Sequence, residues 1–232
     1  MPRILTALVF VLGMFPALAV ASDRPVVIEL FTSQGCSSCP PADRLLHELS
    51  ERDDVITLAL HVDYWDYIGW KDVFAQPKFT KRQKRYAQAM DERMIYTPQI
   101  VVNGRVHAVG SHRSEVQALI EEHAQIDGRV ALEAEIVDGA VAIRAEVTGG
   151  RAKPMDVHLV HYLPKQEVTI SRGENAGKTF TYSSIAHEWM NVGQWTGKGA
   201  LALDAPVTSD LPLVVLVQER GNGPILAAVK LD

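Results

Sequence analysis

The sequence predicts an α/β protein whose C-terminal part is β-rich. Strand-length apolar runs alternate with helix-like segments up to about residue 127, and from Gly128 onward apolar and polar residues alternate one by one. The chain also has only two cysteines, Cys36 and Cys39, which stand three positions apart. We therefore predict two domains, 22–127 and 128–232, after a separate N-terminal segment.

The N-terminal segment, 1–21, is typical of a secretory signal peptide. After a short basic start, residues 4–20 are apolar and uncharged, and small residues end the segment at Ala19-Val20-Ala21. An uncleaved membrane anchor is the alternative, because the apolar run approaches bilayer-spanning length. Gly13 and Pro16 interrupt the run and favour cleavage. We expect a periplasmic or secreted protein without stable membrane insertion.

The first domain has the predicted order strand, helix, strand, helix, strand, strand, helix. Continuous apolar runs predict buried strands, apolar residues three and four positions apart predict helices, and Asn-Gly is a strong hairpin signal. The elements are a strand at 26–31, a helix opened by Pro40-Pro41, a strand at 55–62, a helix at 72–90, a hairpin of 99–103 and 105–109 about Asn103-Gly104, and a helix capped by Ser111.

The second domain reads as an antiparallel arrangement of short strands. Alternation on both sides of Asp138-Gly139 predicts a hairpin, and regularly spaced strand-like pieces with turn residues between them predict a small β-sandwich. The predicted strands are 130–137, 140–147, 156–163, 167–171, 189–195, 211–218 and 225–231.

The net charge of −5 offers no electrostatic case for a nucleic-acid partner. The local basic run between Lys78 and Arg85 has helical spacing, which is typical of a solvated helix face.

The cysteine pair is the strongest chemical signal. A disulfide between residues so close in sequence restrains the unfolded chain little, so redox chemistry explains Cys36-Ser37-Ser38-Cys39 better than stapling does. At a strand-loop-helix junction, the helix N-terminus stabilises a thiolate. Cys36 is then the attacking thiol and Cys39 the resolving one. A structural disulfide and half of a metal site are the alternatives.

Thr97-Pro98 stands directly before the third predicted strand and its Asn103-Gly104 turn. Glutaredoxins and disulfide oxidoreductases resemble the chain closely there. In those families a cis-proline loop lies against the cysteine pair, and its backbone binds the substrate chain. The resemblance implies a substrate-binding role for Thr97 and Pro98.

Glu29 interrupts the first apolar strand, seven residues before Cys36. A buried carboxylate recurs on this strand in thioredoxins, where it is linked to proton transfer at the resolving cysteine. Burial raises a carboxyl pKa and would make Glu29 a proton acceptor. An ordinary glutamate at an exposed strand edge is the alternative.

Four aromatic residues lie in the tract Tyr64-Trp65-Asp66-Tyr67-Ile68-Gly69-Trp70. Such side chains can line a substrate groove, but aromatic residues more often pack in a core, and we favour packing. His61, just before the tract, could ligate a metal together with the thiolates, although a single histidine near a strand end is usually structural.

The segments 33–43, Tyr96-Thr97-Pro98 and 172–177, together with the aromatic tract, resemble the exported thioredoxin-like family catalogued as domain of unknown function 1223. The resemblance implies a thioredoxin-like fold with an added C-terminal region. We therefore predict a thioredoxin-like domain with an inserted helical segment, followed by the small β-sandwich-like domain. The cysteine motif predicts a thiol-disulfide oxidoreductase with Cys36, Cys39 and Glu29 in the chemistry, and we expect no cofactor or metal.

The partners implied are exported protein thiols or disulfides, or small thiols, and a redox partner that recycles the cysteine pair. Two other functions stay open from the sequence. One is binding or delivery of Cu(I) by the two thiolates. The other is a secreted binding module in which the disulfide is incidental.

Overall fold

The computed structural model describes residues 24–150 and 153–231, so the predicted signal peptide at 1–21 lies outside the described residues. These residues have a mixed α/β fold with an eight-stranded mixed sheet, a second, three-stranded antiparallel sheet and three α-helices. Within the described ranges, no helix is long and apolar enough to cross a bilayer.

The elements follow one another in this order: β1 Val26–Thr32, α1 Pro40–Ser50, β2 Val55–His61, α2 Pro77–Ala89, β3 Gln99–Val102, β4 Val106–Val109, α3 Arg113–Ala124, β5 Val130–Val137, β6 Ala140–Val147, β7 Met155–Thr169, β8 Thr179–Trp195, β9 Leu201–Pro206, β10 Leu213–Glu219 and β11 Ile225–Leu231.

The large sheet has the strand order β11-β10-β7-β8-β2-β1-β3-β4. β1 is central, since it runs parallel to β2 and antiparallel to β3. Every residue of β1 and of β2 is buried, as their nearly continuous apolar sequences predict for strands covered on both faces.

Alternate residues of β1 point to opposite faces of the sheet. Ile28 and Leu30 pack in a cluster with the apolar faces of α1 and α3. Val27 and Phe31 pack on the other face with Phe79 of α2. The cysteine loop, which follows β1, therefore leaves the sheet between layers of helices.

The three-stranded sheet has the order β5-β6-β9 and packs on the large sheet. Val141 and Ile143 of β6 share a cluster with Leu159 of β7 and Val215 of β10. This packing buries the alternating apolar residues of the C-terminal part, as a sandwich arrangement requires.

Several predicted bounds were wrong. α2 begins at Pro77 and not at 72, because the Asp72 side chain accepts a hydrogen bond from the Phe74 backbone N–H (2.8 Å) and so holds residues 72–74 in a turn. α3 begins at Arg113 with His112 at the N-cap position and no side-chain cap, so Ser111 does not cap it.

The strands of the C-terminal part are longer than predicted. The predicted strands 156–163 and 167–171 are one strand, β7, which passes through Pro164 while its neighbours keep their pairing with β8. β8 begins ten residues earlier than predicted, at Thr179, and β9 was not predicted. β7 and β8 thus form one long hairpin.

The predicted division at 127/128 falls between α3 and β5. Hydrogen bonding nevertheless joins the two parts, because β8 runs parallel to β2 with Ala59 opposite Ile185. Strands from both sides of the division therefore complete one sheet, and the division into domains 22–127 and 128–232 stays a prediction from the sequence.

Candidate functional site

Cys36 and Cys39 form a disulfide in the loop between β1 and α1, with their Cα atoms 5.4 Å apart. Cys39 occupies the N-cap position of α1, and its carbonyl accepts hydrogen bonds from the backbone N–H groups of Ala42 (2.8 Å) and Asp43 (3.1 Å). Pro40 starts the helix, where a missing N–H costs nothing. The pair therefore sits at the positive end of a helix, as predicted.

The disulfide lies just beneath the surface. Cys36 is 2% exposed and Cys39 is fully buried, whereas Ser37 and Ser38 between them are exposed. The Ser38 hydroxyl lies 3.4 Å from the Cys36 sulfur. A reagent that reaches the loop therefore meets the two serines before it reaches the sulfur of Cys36.

The turn of the long β7–β8 hairpin, residues 170–178, is bound to the cysteine loop. We call it the hairpin tip. The side-chain amide of Asn175 donates to the carbonyl oxygens of Gln34 (3.0 Å) and Cys36 (3.1 Å), and Asn175 is buried. Segment 172–177 contributes to the family resemblance, but sequence reasoning did not place Asn175 beside the cysteines, because it follows Cys36 by 139 positions.

Asp43 is a buried carboxyl one helical turn after Cys39. It accepts a hydrogen bond from the Thr32 hydroxyl (2.8 Å). Burial raises the pKa of Asp43 to about 7, against the opposing effect of His61. Residues four apart in a helix share a face, so Asp43 lies on the side of α1 that Cys39 begins.

Beneath the loop, His61 and Asp72 form a buried pair, with His61 Nδ1 2.7 Å from Asp72 Oδ2. Burial opposes both charges, but the Asp72 carboxylate raises the pKa of His61 and the imidazole lowers the pKa of Asp72. Asp72 also accepts from the Gln34 N–H (2.8 Å). His61 therefore supports the cysteine loop through Asp72.

Glu29 is fully buried, so the exposed-edge alternative was wrong. Arg82 of α2 binds both of its carboxylate oxygens, at 2.5 and 3.0 Å, and Tyr86 donates a third hydrogen bond. Gln218 of β10 completes the group by accepting from Arg82 (3.0 Å). These contacts occupy the carboxylate on the α2 side of the sheet.

The Thr97–Pro98 peptide bond is cis, in agreement with the resemblance. Trp65 connects this loop to the cysteine loop, because its indole N–H donates to the Thr97 hydroxyl (2.7 Å) while its backbone lies against Gly35. A Cβ at Gly35 would stand 3.2 Å from the Trp65 carbonyl oxygen, so a glycine permits this contact. The two predicted parts of the site are therefore linked through one aromatic side chain.

The rest of the aromatic tract is divided between packing and exposure. Trp70 donates to the Gln34 side-chain oxygen (2.8 Å), whereas Tyr67 is 80% exposed and stacks on Trp65. The described residues contain no group of three or more His, Cys, Asp or Glu side chains that could hold a metal ion.

The arrangement has the parts that thiol-disulfide exchange needs. It combines two cysteines in bonding distance, a helix N-terminus beside them and a buried carboxyl that titrates near neutral pH.

Comparison with known proteins gives three findings. Residues 27–218 match the sequence profile of a family described as "Protein of unknown function (DUF1223)". A crystal structure of a protein from Agrobacterium tumefaciens is similar, with 30% identity, a TM-score of 0.75 and coverage of 89% of this chain and 93% of that one. HBP35 of Porphyromonas gingivalis shares the fold at 12% identity, with a TM-score of 0.60 and coverage of 89% of this chain and 74% of that one. No curated protein matches the chain.

Proposed function

We propose that this chain, which belongs to the family described as "Protein of unknown function (DUF1223)", exchanges thiols and disulfides with its substrates through Cys36 and Cys39. The observation that carries the proposal is the Cys36–Cys39 disulfide at the N-terminus of α1. The descriptions of the matched family and structures mention no redox activity, so the support for this function comes from the site itself.

A thioredoxin-like arrangement is part of the proposal. The order β2-β1-β3-β4, with β2 parallel and β3 antiparallel to β1, resembles that fold. So does the position of the cysteine pair between β1 and α1. The strands β7, β8, β10 and β11 extend this sheet beyond β2.

The reaction has two exchange steps. The Cys36 thiolate attacks one sulfur of a substrate disulfide, forms a mixed disulfide and releases the other substrate sulfur as a thiolate. The Cys39 thiolate then attacks the Cys36 sulfur and releases the second substrate thiolate. The substrate disulfide gains two electrons and the cysteine pair loses two, and the same steps in reverse oxidise a dithiol substrate.

We propose that Asp43 accepts the proton that the Cys39 thiol releases. Asp43 is buried one turn beyond Cys39, and its backbone N–H already binds the Cys39 carbonyl. A carboxyl with a pKa of about 7 can take and return a proton at neutral pH. The contacts of Glu29 with Arg82 and Tyr86 favour Asp43 over Glu29 for this role.

The proposal includes the substrates, which we infer from the burial of Cys36, and the location, which rests on the predicted signal peptide at 1–21. Cys36 is nearly covered, which favours small thiols and extended protein segments that can approach the exposed side of the cysteine loop. We propose an exported protein that acts on protein or small-molecule thiols and is recycled by a separate redox partner.

The test is a pair of cysteine variants assayed with glutathione disulfide and with insulin. Cys36→Ala should abolish turnover of both, whereas Cys39→Ala should accumulate mixed disulfides at Cys36 that mass spectrometry detects. Ser37→Ala keeps both thiols and serves as the matched control. Retained turnover in Cys36→Ala, or no trapped adduct in Cys39→Ala, contradicts the assigned roles.

A further inference from the structure

A cavity of about 380 Å³ lies between α2 and the strands β7, β8 and β10. This volume falls within the range of about 300–1,000 Å³ that is usual for small-molecule sites. Its walls come from α2, from β7 and β8, and from the β10–β11 turn, and neither cysteine lines it. The proposed redox chemistry does not use this cavity.

The mouth of the cavity is positively charged. Arg82 lines the cavity, but its charge is neutralised by the ion pair with buried Glu29. Lys78 and Arg85 are exposed lining residues. Lys78 donates to the His187 carbonyl oxygen (3.4 Å) and interacts with the charge of Glu188, whereas Arg85 makes no hydrogen bond or ion pair with the described residues. Of the two carboxylates in the lining, that of Glu219 pairs with Lys153 (3.3 Å), whereas Oδ1 of Asp156 lies 3.7 Å from Nε of Arg220 without a hydrogen bond.

Three buried polar atoms of the described lining residues have no hydrogen-bond partner. One is the side-chain amide nitrogen of Asn222, a residue only 8% exposed. The other two are Nδ1 of His158 and Oδ1 of Asp156. Burial, with the nearby Arg82, lowers the pKa of His158 to about 3, so the ring is neutral, and it already bonds to the Met190 backbone. Nδ1 is then an acceptor, as is the Asp156 carboxylate oxygen, so the lining has one unpartnered donor and two unpartnered acceptors.

A hydroxyl group satisfies both kinds of atom, because it donates one hydrogen bond and accepts others. Trp189 also lines the cavity and adds an apolar wall for a carbon skeleton. The guanidinium carbon of Arg82 lies 3.9 Å from the centroid of its ring, and the His158 ring meets it edge-on. A ligand that matches the cavity therefore combines a negative charge with hydroxyl groups.

We propose that this cavity binds a small hydroxylated organic anion. The anionic group lies between Lys78 and Arg85, and hydroxyl groups accept from Asn222 and donate to His158. Hydroxy carboxylates and sugar phosphates share this chemistry, and the test distinguishes these two classes of ligand.

The test is isothermal titration calorimetry of the full chain with gluconate and with glucose 6-phosphate. We expect at least one of them to bind with a Kd below about 1 mM. Glucose and inorganic phosphate are the ligand controls, and each should bind at least about tenfold more weakly than the organic anion.

Two variants locate the site. Arg85→Ala should weaken binding about tenfold, because it removes a charge-assisted contact. Lys84→Ala removes a neighbouring exposed charge that does not line the cavity and should leave binding unchanged. Asn222→Ala should weaken binding of the organic anion but leave binding of inorganic phosphate unchanged.

Three results overturn the proposal. The first is the absence of measurable heat with both organic anions. The second is inorganic phosphate binding as tightly as glucose 6-phosphate, which indicates an adventitious ion only. The third is an equal loss of affinity in Lys84→Ala and Arg85→Ala. Thermal unfolding of each variant checks that the fold is retained.

Discussion

Two buried carboxyl groups, those of Asp43 and Glu29, have different partners and therefore different capacities. Asp43 has one hydroxyl donor, from Thr32, and a pKa raised by burial to about 7. Glu29 is held by the guanidinium of Arg82 and by Tyr86. The first group can change its protonation at neutral pH, while the second is part of a structural ion pair.

The Asp43→Asn variant should change how stability depends on pH. The pKa of Asp43 rises from 3.8 in its reference state to about 7 in the folded protein, so between these values the folded chain holds a proton that the unfolded chain releases. The wild-type unfolding free energy therefore falls as pH rises through this window and levels off above about pH 7. Across this pH window, the unfolding free energy of the wild type should fall by about 4 kcal/mol relative to that of Asp43→Asn.

Urea unfolding of both proteins at about pH 4 and about pH 8 measures this difference. Asp53→Asn, at an exposed turn, is the control and should follow the wild type. A difference that does not vary with pH would mean that Asp43 has an ordinary pKa, and it would remove the basis for its proton role.

The Glu29→Gln variant should lose stability. Removing one partner of a buried ion pair costs about 3–5 kcal/mol, because the remaining charge of Arg82 stays buried without compensation. Glu48→Gln breaks the exposed ion pair with Arg113 and should have little effect. Denaturant unfolding compares the two. If Glu29→Gln is as stable as wild type but slows the Cys39 step, Glu29 and not Asp43 serves as the proton acceptor.

At the scale of elements, the hairpin tip is the segment that joins the C-terminal strands to the cysteine loop. The Asn175→Ala variant leaves two carbonyl oxygens, of Gln34 and Cys36, without their donor. We expect a loss of about 1–3 kcal/mol in unfolding free energy and faster reduction of the disulfide by dithiothreitol. The faster reduction follows because the loop around Cys36 opens more often.

Glu174→Ala, an exposed neighbour in the same tip, is the control and should reduce at the wild-type rate. If Asn175→Ala is destabilised but its disulfide is reduced no faster, the tip contributes to folding without restricting access to Cys36.

Elements with a strong local pattern were predictable from the sequence. The two buried strands β1 and β2, the turn at Asn103-Gly104 and β11 needed only apolar runs and a turn dipeptide. The start of α2 was not predictable in this way. It depends on Asp72, whose side chain is recruited by His61 and Gln34 from distant positions.

At the scale of the whole molecule, one apolar cluster spans the predicted domain boundary. Leu58 and Leu60 of β2 share this cluster with buried side chains of β7, β8, β10 and β11, namely Val160, Tyr162, Ala186, Val214, Leu216 and Ile225. The first region therefore obtains part of its core from the second.

A fragment of residues 24–127 should therefore show no cooperative thermal transition. Each large apolar side chain contributes about 1.5–3 kcal/mol on burial, so losing the burial of several is comparable with the usual 5–15 kcal/mol of domain stability. Circular dichroism of the fragment and of the full chain tests this, and the full chain should unfold in one transition. A fragment that melts cooperatively at the temperature of the full chain would establish 22–127 as an independent domain.

The cysteine half of the candidate site could be predicted, since Cys36, Cys39 and Thr97-Pro98 form local motifs. The roles of Asp43 and Asn175 could not be predicted, although both residues lie in segments that carry the family resemblance, 33–43 and 172–177. An Asp in a helical turn and an Asn in a loop do not indicate their partners, which become clear only when the fold buries both side chains near the cysteine loop.

The contact between Asn175 and the cysteine loop also has a consequence for the growing chain. Because Asn175 follows Cys36 by 139 positions, a ribosome needs on the order of ten seconds to add it after the cysteine has been made. During that interval the thiols have neither the hairpin tip nor the outer strands around them. Until the hairpin tip docks, the Cys36 carbonyl lacks its Asn175 donor and the cysteine loop is less restrained, so we expect oxidants and other thiols to reach the two cysteines more readily than in the folded chain.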